Sequence, residues 1–260
     1  MLDTIATNNV EDTAMPVPAP LDLGSTFHQY FEIVPALSNA LKDEVYRVRH
    51  QVYCEDLKFE CARPDGLETD EHDPNSLHLL LRSIKTGEFI GCTRIVRPRP
   101  DDSRYRLPFE TTCATALDRS IIDPAKLPRD RIAEVSRLAV VASYRRRKGE
   151  ANSPVSLADE DSDIGKSRRF PYIPLGLYLG TTELARISGI ETLFVLTERR
   201  QAAHFSKLGV QLRIIGKAIE HRGERVPAVM NVISIVTDMR TIFHSLYYAI
   251  AADIQKAVFK

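Results

Sequence analysis

The chain has 260 residues and a mass of 29.3 kDa, enough for one large core or two small domains. Its 35 basic residues balance 35 acidic ones, which argues against general attraction to nucleic acid or to an anionic membrane. No apolar run reaches the roughly 18 residues of a spanning helix, and Cys54, Cys61, Cys92 and Cys113 form no CxxC pair, so neither a metal site nor thioredoxin-like chemistry is expected.

The N-terminus carries Asp3, Glu11 and Asp12 without the basic and apolar segments of a leader, so a cytoplasmic protein with free thiols is expected. Residues 1–25, ending in "AMPVPAPLDLGS", read as a disordered tail. "YFEIVPA" reads as a short strand. In "LSNALKDEVYRVRHQVYCEDL", Leu41, Val45, Val48 and Val52 recur at helical spacing, and Ser38 is placed to cap the helix. "GLETDEHDPN" is an acidic loop. "SLHLLLRSI", "KTGE" and "FIGCTRIVRP" predict a β-hairpin.

A Pro-rich connection over 97–130 leads to the strand "AEVSRLAVV". Residues 149–172 have no apolar period and read as a flexible loop of the kind that serves as a lid. "LGLYLGTTELARISGI" is a helix, "ETLFVLT" a buried strand, and "RRQAAHFSKLG" a helix ended by Gly209. "QLRIIGKAIEHRGERVPAVMNVISIV" reads as a last hairpin. In residues 237–260, Phe243, Tyr247, Ala251 and Ile254 line one side of an amphipathic helix, suited to packing on the domain or to a homodimer. The order predicts an α/β fold, a mixed central sheet flanked by helices, with one domain over 26–236.

Three segments carry charge where apolar residues are expected. Arg94 shares a strand face with Ile90, Cys92 and Val96. Glu134 and Arg137 are three residues apart, so in a regular strand they point in opposite directions and one of them faces the core. Arg49 sits one residue from the Val45–Val48–Val52 stripe, with Tyr53 one turn on. Any one of these alone reads as a solvated edge or a snorkelling side chain. Several together suggest pairing around a polar cleft, because an unpaired buried charge is strongly disfavoured. Glu134 with Arg94 is the expected pair, and a β-bulge in the 134–140 strand would turn Arg137 into the same cleft. The cluster Glu68, Asp70, Glu71 and Asp73 reads by composition as a solvated loop.

Arg49, Tyr53, Phe59, Asp70, Asp73, Arg94, Glu134 and Arg137 also fit a family pattern: Arg, two aromatics, two Asp three apart, a strand Arg, and Glu-x-x-Arg. Over roughly residues 30–235 the chain resembles the autoinducer (acyl-homoserine-lactone) synthases and the related N-acyl amino acid synthases of the GNAT superfamily. It is most similar to acyltransferases associated with PEP-CTERM/exosortase systems. Three departures accompany the resemblance. The aromatics are Tyr53 and Phe59 where homoserine-lactone synthases usually have Phe and Trp. No Gly-rich pyrophosphate loop follows the 134–142 strand, and Phe205 stands where many acetyltransferases place a tyrosine acid.

The resemblance implies a GNAT-like acyltransferase that moves a long-chain acyl group from a carrier-protein thioester to the α-amine of an amino acid. Acyl-phosphopantetheine is then a substrate, with acyl carrier protein ranked ahead of acyl-CoA, and no permanently bound cofactor is expected. Glu134, Arg94 and Arg137 would be catalytic. Arg49, Tyr53, Phe59, Asp70, Asp73, Ser136 and Leu138 would bind substrate, and Leu175, Leu177 and Leu179 are candidate tunnel residues. Arg145, Arg146, Arg147, Lys148, Arg168 and Arg169 would dock an acidic carrier. The alternatives are an acyl-homoserine-lactone synthase using S-adenosylmethionine, a CoA-dependent N-acetyltransferase, and a catalytically silent acyl-binding module.

Overall fold

The computed structural model describes residues 22–99, 101–102, 104–145, 171–207 and 210–260. Most of the expected tail and of the 149–172 loop, together with Gly209, lies outside these residues. Where the tail reaches described residues the expectation is overturned. Asp22 Oδ1 accepts the Gly24 and Ser25 amides at 3.1 and 3.3 Å and caps helix α1 (Leu23–Tyr30), in which Leu23, Gly24 and Phe27 are buried. Eight residues are too few for a periodic signal to stand out, and α1 owes its place to packing on the C-terminal helix.

Strand β1 (Phe31–Pro35) leads to α2 (Asn39–Arg49), whose Leu41 amide donates to Ser38 Oγ at 3.3 Å. The helix runs on as a π-helical segment over His50–Asp56, a form often found at functional sites. The hairpin follows as β2 (Ser76–Ser83) and β3 (Phe89–Val96). The connection beyond it is not featureless: α3 (Pro108–Thr112) builds a small second core from Phe109 with Val96, Ile132 and Phe194. Strand β4 (Ile132–Val140) completes the first half.

Helix α4 (Tyr172–Ile187), β5 (Thr192–Thr197) and α5 (Arg199–Lys207) follow in the expected order. The last segment is more than a hairpin. It forms β6 (Arg213–Ile214), β7 (Ile219–Glu220) and β8 (Glu224–Asn231), and then turns helical as α6 (Val232–Thr237). "VISIV" is β-branched and reads as strand, but Asn231 Oδ1 accepts the Ser234 amide at 2.9 Å and starts a helix instead. Helix α7 (His244–Val258) closes the chain. The stripe that would suit a dimer is spent within the chain, since Tyr247, Ala251 and Ile254 are buried and α7 packs on α1, α4 and β1.

The sheet order is β1-β2-β3-β4-β5-β8-β6, with β7 paired to β8; every pairing is antiparallel except β4 with β5. This is the open mixed sheet of a GNAT-like fold, flanked by helices. Helix α2 lies over the β3 face that carries Arg94, and α4 lies over the face that carries Gly91. Helix α4 rides close because Gly176 and Gly180 face inward. A Cβ there would meet Phe27 Cε2 at 2.8 Å and Leu79 Cδ2 at 2.7 Å.

Two irregularities shape the sheet centre. Pairing of β4 with β5 ends at Val135–Val195 although both strands continue, so the strands part beyond that point. In the β3–β4 ladder, Cys92 faces Ala139 while Arg94 faces Ser136, which leaves one extra residue on β4. That bulge falls beside Arg137, whose φ of 53° is a left-handed conformation rare outside glycine.

Candidate active site

A cavity of about 330 Å³ occupies the gap between β4 and β5 and reaches both faces of the sheet. On the α2 side it is lined by Asp70, His72, Arg94, Phe109, Glu134 and Ser136. On the α4 side Tyr178, Thr181, Leu193, Val195, Phe205 and Met230 make a largely apolar wall. Tyr53, Phe59, Arg137 and Leu138 also line it.

The face assignment follows from register. Arg94 pairs with Ser136 and Val96 with Glu134, so Glu134 and Ser136 project to the same side as Arg94. By alternation alone Arg137 would point away. The bulge reverses its phase, and its guanidinium reaches Glu68 Oε1 at 3.1 Å, Asp70 Oδ2 at 3.2 Å and Glu60 Oε1 at 3.4 Å. Its Cζ also lies 5.5 Å from the Tyr53 ring centroid. Glu134 and Arg137 therefore share one cleft.

The expected Glu134–Arg94 pair does not form. Directly across from Arg94 is Ser136, whose Oγ accepts its Nε at 3.1 Å, while Nη1 donates to Asp70 and Asp73 at 2.6 and 2.9 Å. Glu134 accepts the Phe109 amide on Oε2 at 2.7 Å and has no ion pair within 4.0 Å among the described residues. Burial pushes its carboxyl up to about 7, against the Phe109 N–H and the Arg94 and Arg137 charges that favour ionisation.

The acidic loop is not solvated. Glu68 and Asp73 are buried, and both hold the fully buried Arg49: Nε donates to Glu68 Oε2, and Nη1 to Asp73 Oδ1 at 2.6 Å. Burial alone would raise the pKa values of Glu68, Asp70 and Asp73; the Arg49, Arg94 and Arg137 charges and hydrogen bonds more than reverse it, and all three stay ionised. Tyr53 Oη donates to the Leu138 carbonyl at 3.1 Å and fixes the backbone within the bulge.

All of Tyr53, Phe59, Asp70, Arg94, Glu134, Ser136, Arg137 and Leu138 meet at the cavity, and Arg49 and Asp73 stand behind them as supports. The proposed tunnel residues Leu175, Leu177 and Leu179 do not line it. They are core residues, and Leu177 Cδ1 lies against Gly91, while Tyr178, Thr181 and Thr182 of the same helix face the cavity. Arg145 is turned inward, with Nη2 2.6 Å from Asp56 Oδ2, so it is not part of an open basic patch. Arg146, Arg147, Lys148, Arg168 and Arg169 lie outside the described residues.

Sequence reasoning did not single out Glu60, Phe109, His221, Arg222 or Arg225, and it placed Glu68 in a solvated cluster. For the last group the available signal was Gly223 in "HRGER", which marks a tight turn between β7 and β8.

Comparison with known proteins agrees with this architecture. The acetyltransferase (GNAT) domain family matches residues 48–152, the span that holds all eight positions of the charged pattern. An acyl-homoserine-lactone synthase from Vibrio anguillarum is 30% identical over 125 residues, 48% of this chain and 58% of that protein. The chain thus matches little more than half the length of that curated relative. The structure of the AHL synthase LasI has a TM-score of 0.55 at 16% identity, covering 84% of this chain and 95% of that one. The structure of FeeM, an N-acyl amino acid synthase from uncultured soil microbes, has a TM-score of 0.50 at 14% identity, covering 80% and 94%. At these identities the likeness to LasI and FeeM is one of fold.

Proposed function

We propose that this chain, which carries a GNAT acetyltransferase domain with an autoinducer synthase-like fold, transfers a long-chain acyl group from a phosphopantetheine thioester to the α-amine of an amino acid. The observation that carries the reading is Glu134: a buried carboxyl pushed up to about 7, at the junction of a polar pocket and an apolar channel. The pocket has the charges to orient a zwitterion, and the channel suits an alkyl chain.

The amine must lose a proton to attack, and a carboxylate with a pKa near 7 is matched to accept it directly or through one water. The amine nitrogen then bonds to the thioester carbon, and the carbonyl π-electrons move onto oxygen. Collapse of the tetrahedral species expels the pantetheine thiolate, which takes up a proton, and leaves the amide. Backbone N–H groups at the β4 bulge are suited to the oxyanion because the Tyr53–Leu138 bond and the Arg137 ion pairs hold that backbone still. Arg49 and Asp73 act through Asp70 and Arg94 as positioning residues.

Acyl carrier protein is the preferred donor over coenzyme A. A single 3₁₀ turn, Ala142–Tyr144, follows β4, and the sequence there lacks the glycine spacing that lets backbone amides cradle a pyrophosphate. A second reading, an acyl-homoserine-lactone synthase using S-adenosylmethionine, is favoured by the match to the Vibrio anguillarum protein.

Purified protein offered acyl carrier protein or CoA thioesters, with amino acids or S-adenosylmethionine as acceptors, separates these readings by mass spectrometry. An N-acyl amino acid supports the first and an acyl lactone the second. Release of thiol with neither product, or no turnover of any thioester, would sink both.

A further inference from the structure

Glu60 Oε1 is shared by two arginines from distant parts of the chain, Arg137 at the β4 bulge and Arg222 at the β7–β8 turn. Both hold left-handed backbone, with φ of 53° and 54°. Arg222 is followed by Gly223 at φ 94°, and the two successive residues of positive φ close a tight hairpin turn. Next to it Arg225 donates from Nη2 to the Arg222 carbonyl at 3.3 Å and from Nη1 to Glu198 at 2.8 Å. His221, Arg222 and Arg225 all line the cavity.

The charges of Arg222, Arg225 and Arg137 all act on His221. Burial lowers its pKa first, and Arg222, Arg225 and Arg137 lower it further, so the ring is neutral at pH 7 and adds no charge of its own. Arg137 is already surrounded by Glu60, Glu68 and Asp70, and Arg225 is held by Glu198. Arg222 differs. Among the described residues its guanidinium makes one ion pair, through Nη2 to Glu60, and its side chain is 28% exposed, against 16% for Arg137 and 10% for Arg225. Its remaining donors are free to form the two-pronged contact that a planar carboxylate accepts.

We infer that Arg222 is the residue that receives the α-carboxylate of the acceptor, with Glu60 as the internal carboxylate that occupies it in the empty site. This rests on the reading of the cavity as an amino acid acyltransfer site and deepens it: the acceptor is a free amino acid, not a neutral amine or a peptide-like amide. The zwitterion then binds with its carboxylate on Arg222 and its amine turned to the Glu134 side of the same cavity. Glu60 gives up Arg222 and keeps Arg137.

The test compares the α-amino acids with their primary amides as acceptors, in the wild-type protein and in Arg222→Ala, Arg222→Lys and Glu60→Gln. The α-amine of an amide is less basic, so a site blind to the carboxylate would use the amide at least as well. The expected result is a preference for the free acid of about 10-fold or more, one charge-assisted contact being worth ~1.5–3 kcal/mol. Arg222→Ala should abolish that preference and raise the acceptor KM with the donor KM unchanged. Arg222→Lys should restore part of it, and Glu60→Gln should lower the acceptor KM by removing the competitor.

Equal use of amides by the wild type, or a change confined to the donor KM in Arg222→Ala, would overturn the assignment. So would a Glu60→Gln phenotype matching Arg222→Ala, since the pair would then serve only to hold the hairpin. Calorimetric binding of the same acids and amides gives an answer independent of turnover. A protein that binds free acids through Arg222 but acylates nothing would refute the proposed reaction and leave the carboxylate site standing.

Discussion

Arg49 on α2 and Arg94 on β3 donate to the same atom, Asp73 Oδ1, at 2.6 and 2.9 Å. Like charges so close are stable only while the shared carboxylate is ionised. Asp73→Asn should therefore cost about 3 to 5 kcal/mol, because it leaves two buried guanidiniums short of an anion. Chemical denaturation would show it as a lower midpoint. An unchanged midpoint would mean that Glu68 and Asp70 suffice.

The same network sets an acid limit. Folded Glu68, Asp70 and Asp73 hold their pKa values below the ordinary range, so the unfolded chain binds more protons than the folded one as pH falls. Their contribution is complete above the ordinary carboxylate pKa and is lost progressively below it. A melting-temperature series should fall from about pH 5 downward, and less steeply in Asp73→Asn. Parallel profiles would show that other carboxylates dominate acid unfolding.

Glu134 has the opposite sign. Its folded pKa of about 7 lies above the ordinary glutamate value, so the folded state holds the proton more tightly and ionisation disfavours folding. Glu134→Gln should gain stability relative to wild type as pH rises from about 4.5 to about 7, and the gain should level off above that. Acyl transfer by the wild type should rise through about pH 7 as the base form appears. The variant should lose about 10²- to 10⁴-fold in kcat and that pH step. Retained activity with the step intact would remove Glu134 from the proton transfer.

Most of the framework is legible in the chain: Val45, Val48 and Val52 mark α2 and its π-helical extension, and short apolar runs mark β2, β3 and β4. The charged cleft is legible only as a misfit. Two steps resist reading. One is the direction of Arg137, which depends on a single extra residue in β4. The other is the difference between Glu68 and Glu71, identical in type and three apart, with side chains 6% and 81% exposed. Which one is buried depends on where the loop meets Arg49, a long-range contact. The Phe109 amide on Glu134 is a backbone donor from the first turn of the five-residue helix α3, and no side-chain pattern announces it.

Val195 stands where β5 leaves β4, on the apolar wall of the cavity. Val195→Phe should block the channel partway while leaving the charged pocket intact. Each methylene excluded forfeits ~0.8 kcal/mol of burial, so loss of room for about three would shift preference by roughly 50-fold toward shorter chains. Product profiles by mass spectrometry with mixed thioesters would show the shift. An unchanged chain-length distribution would place the acyl group elsewhere.

Tyr247 on α7 donates to Glu183 Oε2 on α4 at 2.7 Å, and Gln255 Nε2 donates to the other oxygen at 2.6 Å. Glu183 is fully buried, and Arg186 completes its partners at 2.7 Å. Burial raises the Tyr247 pKa, and the adjacent Glu183 carboxylate raises it further, so the phenol remains a donor throughout the useful pH range. Tyr247→Phe keeps the ring packed but strips the anion of one donor, at a cost of ~1.5–3 kcal/mol. Because Tyr247 lies away from the cavity lining, the folded variant should keep its acceptor and donor KM values. Urea unfolding distinguishes two outcomes. A lower midpoint with an unchanged slope means that α7 unfolds with the sheet as one unit. A shallower slope means that α7 already detaches in the native state, and the helix would then be an appendage rather than part of the fold.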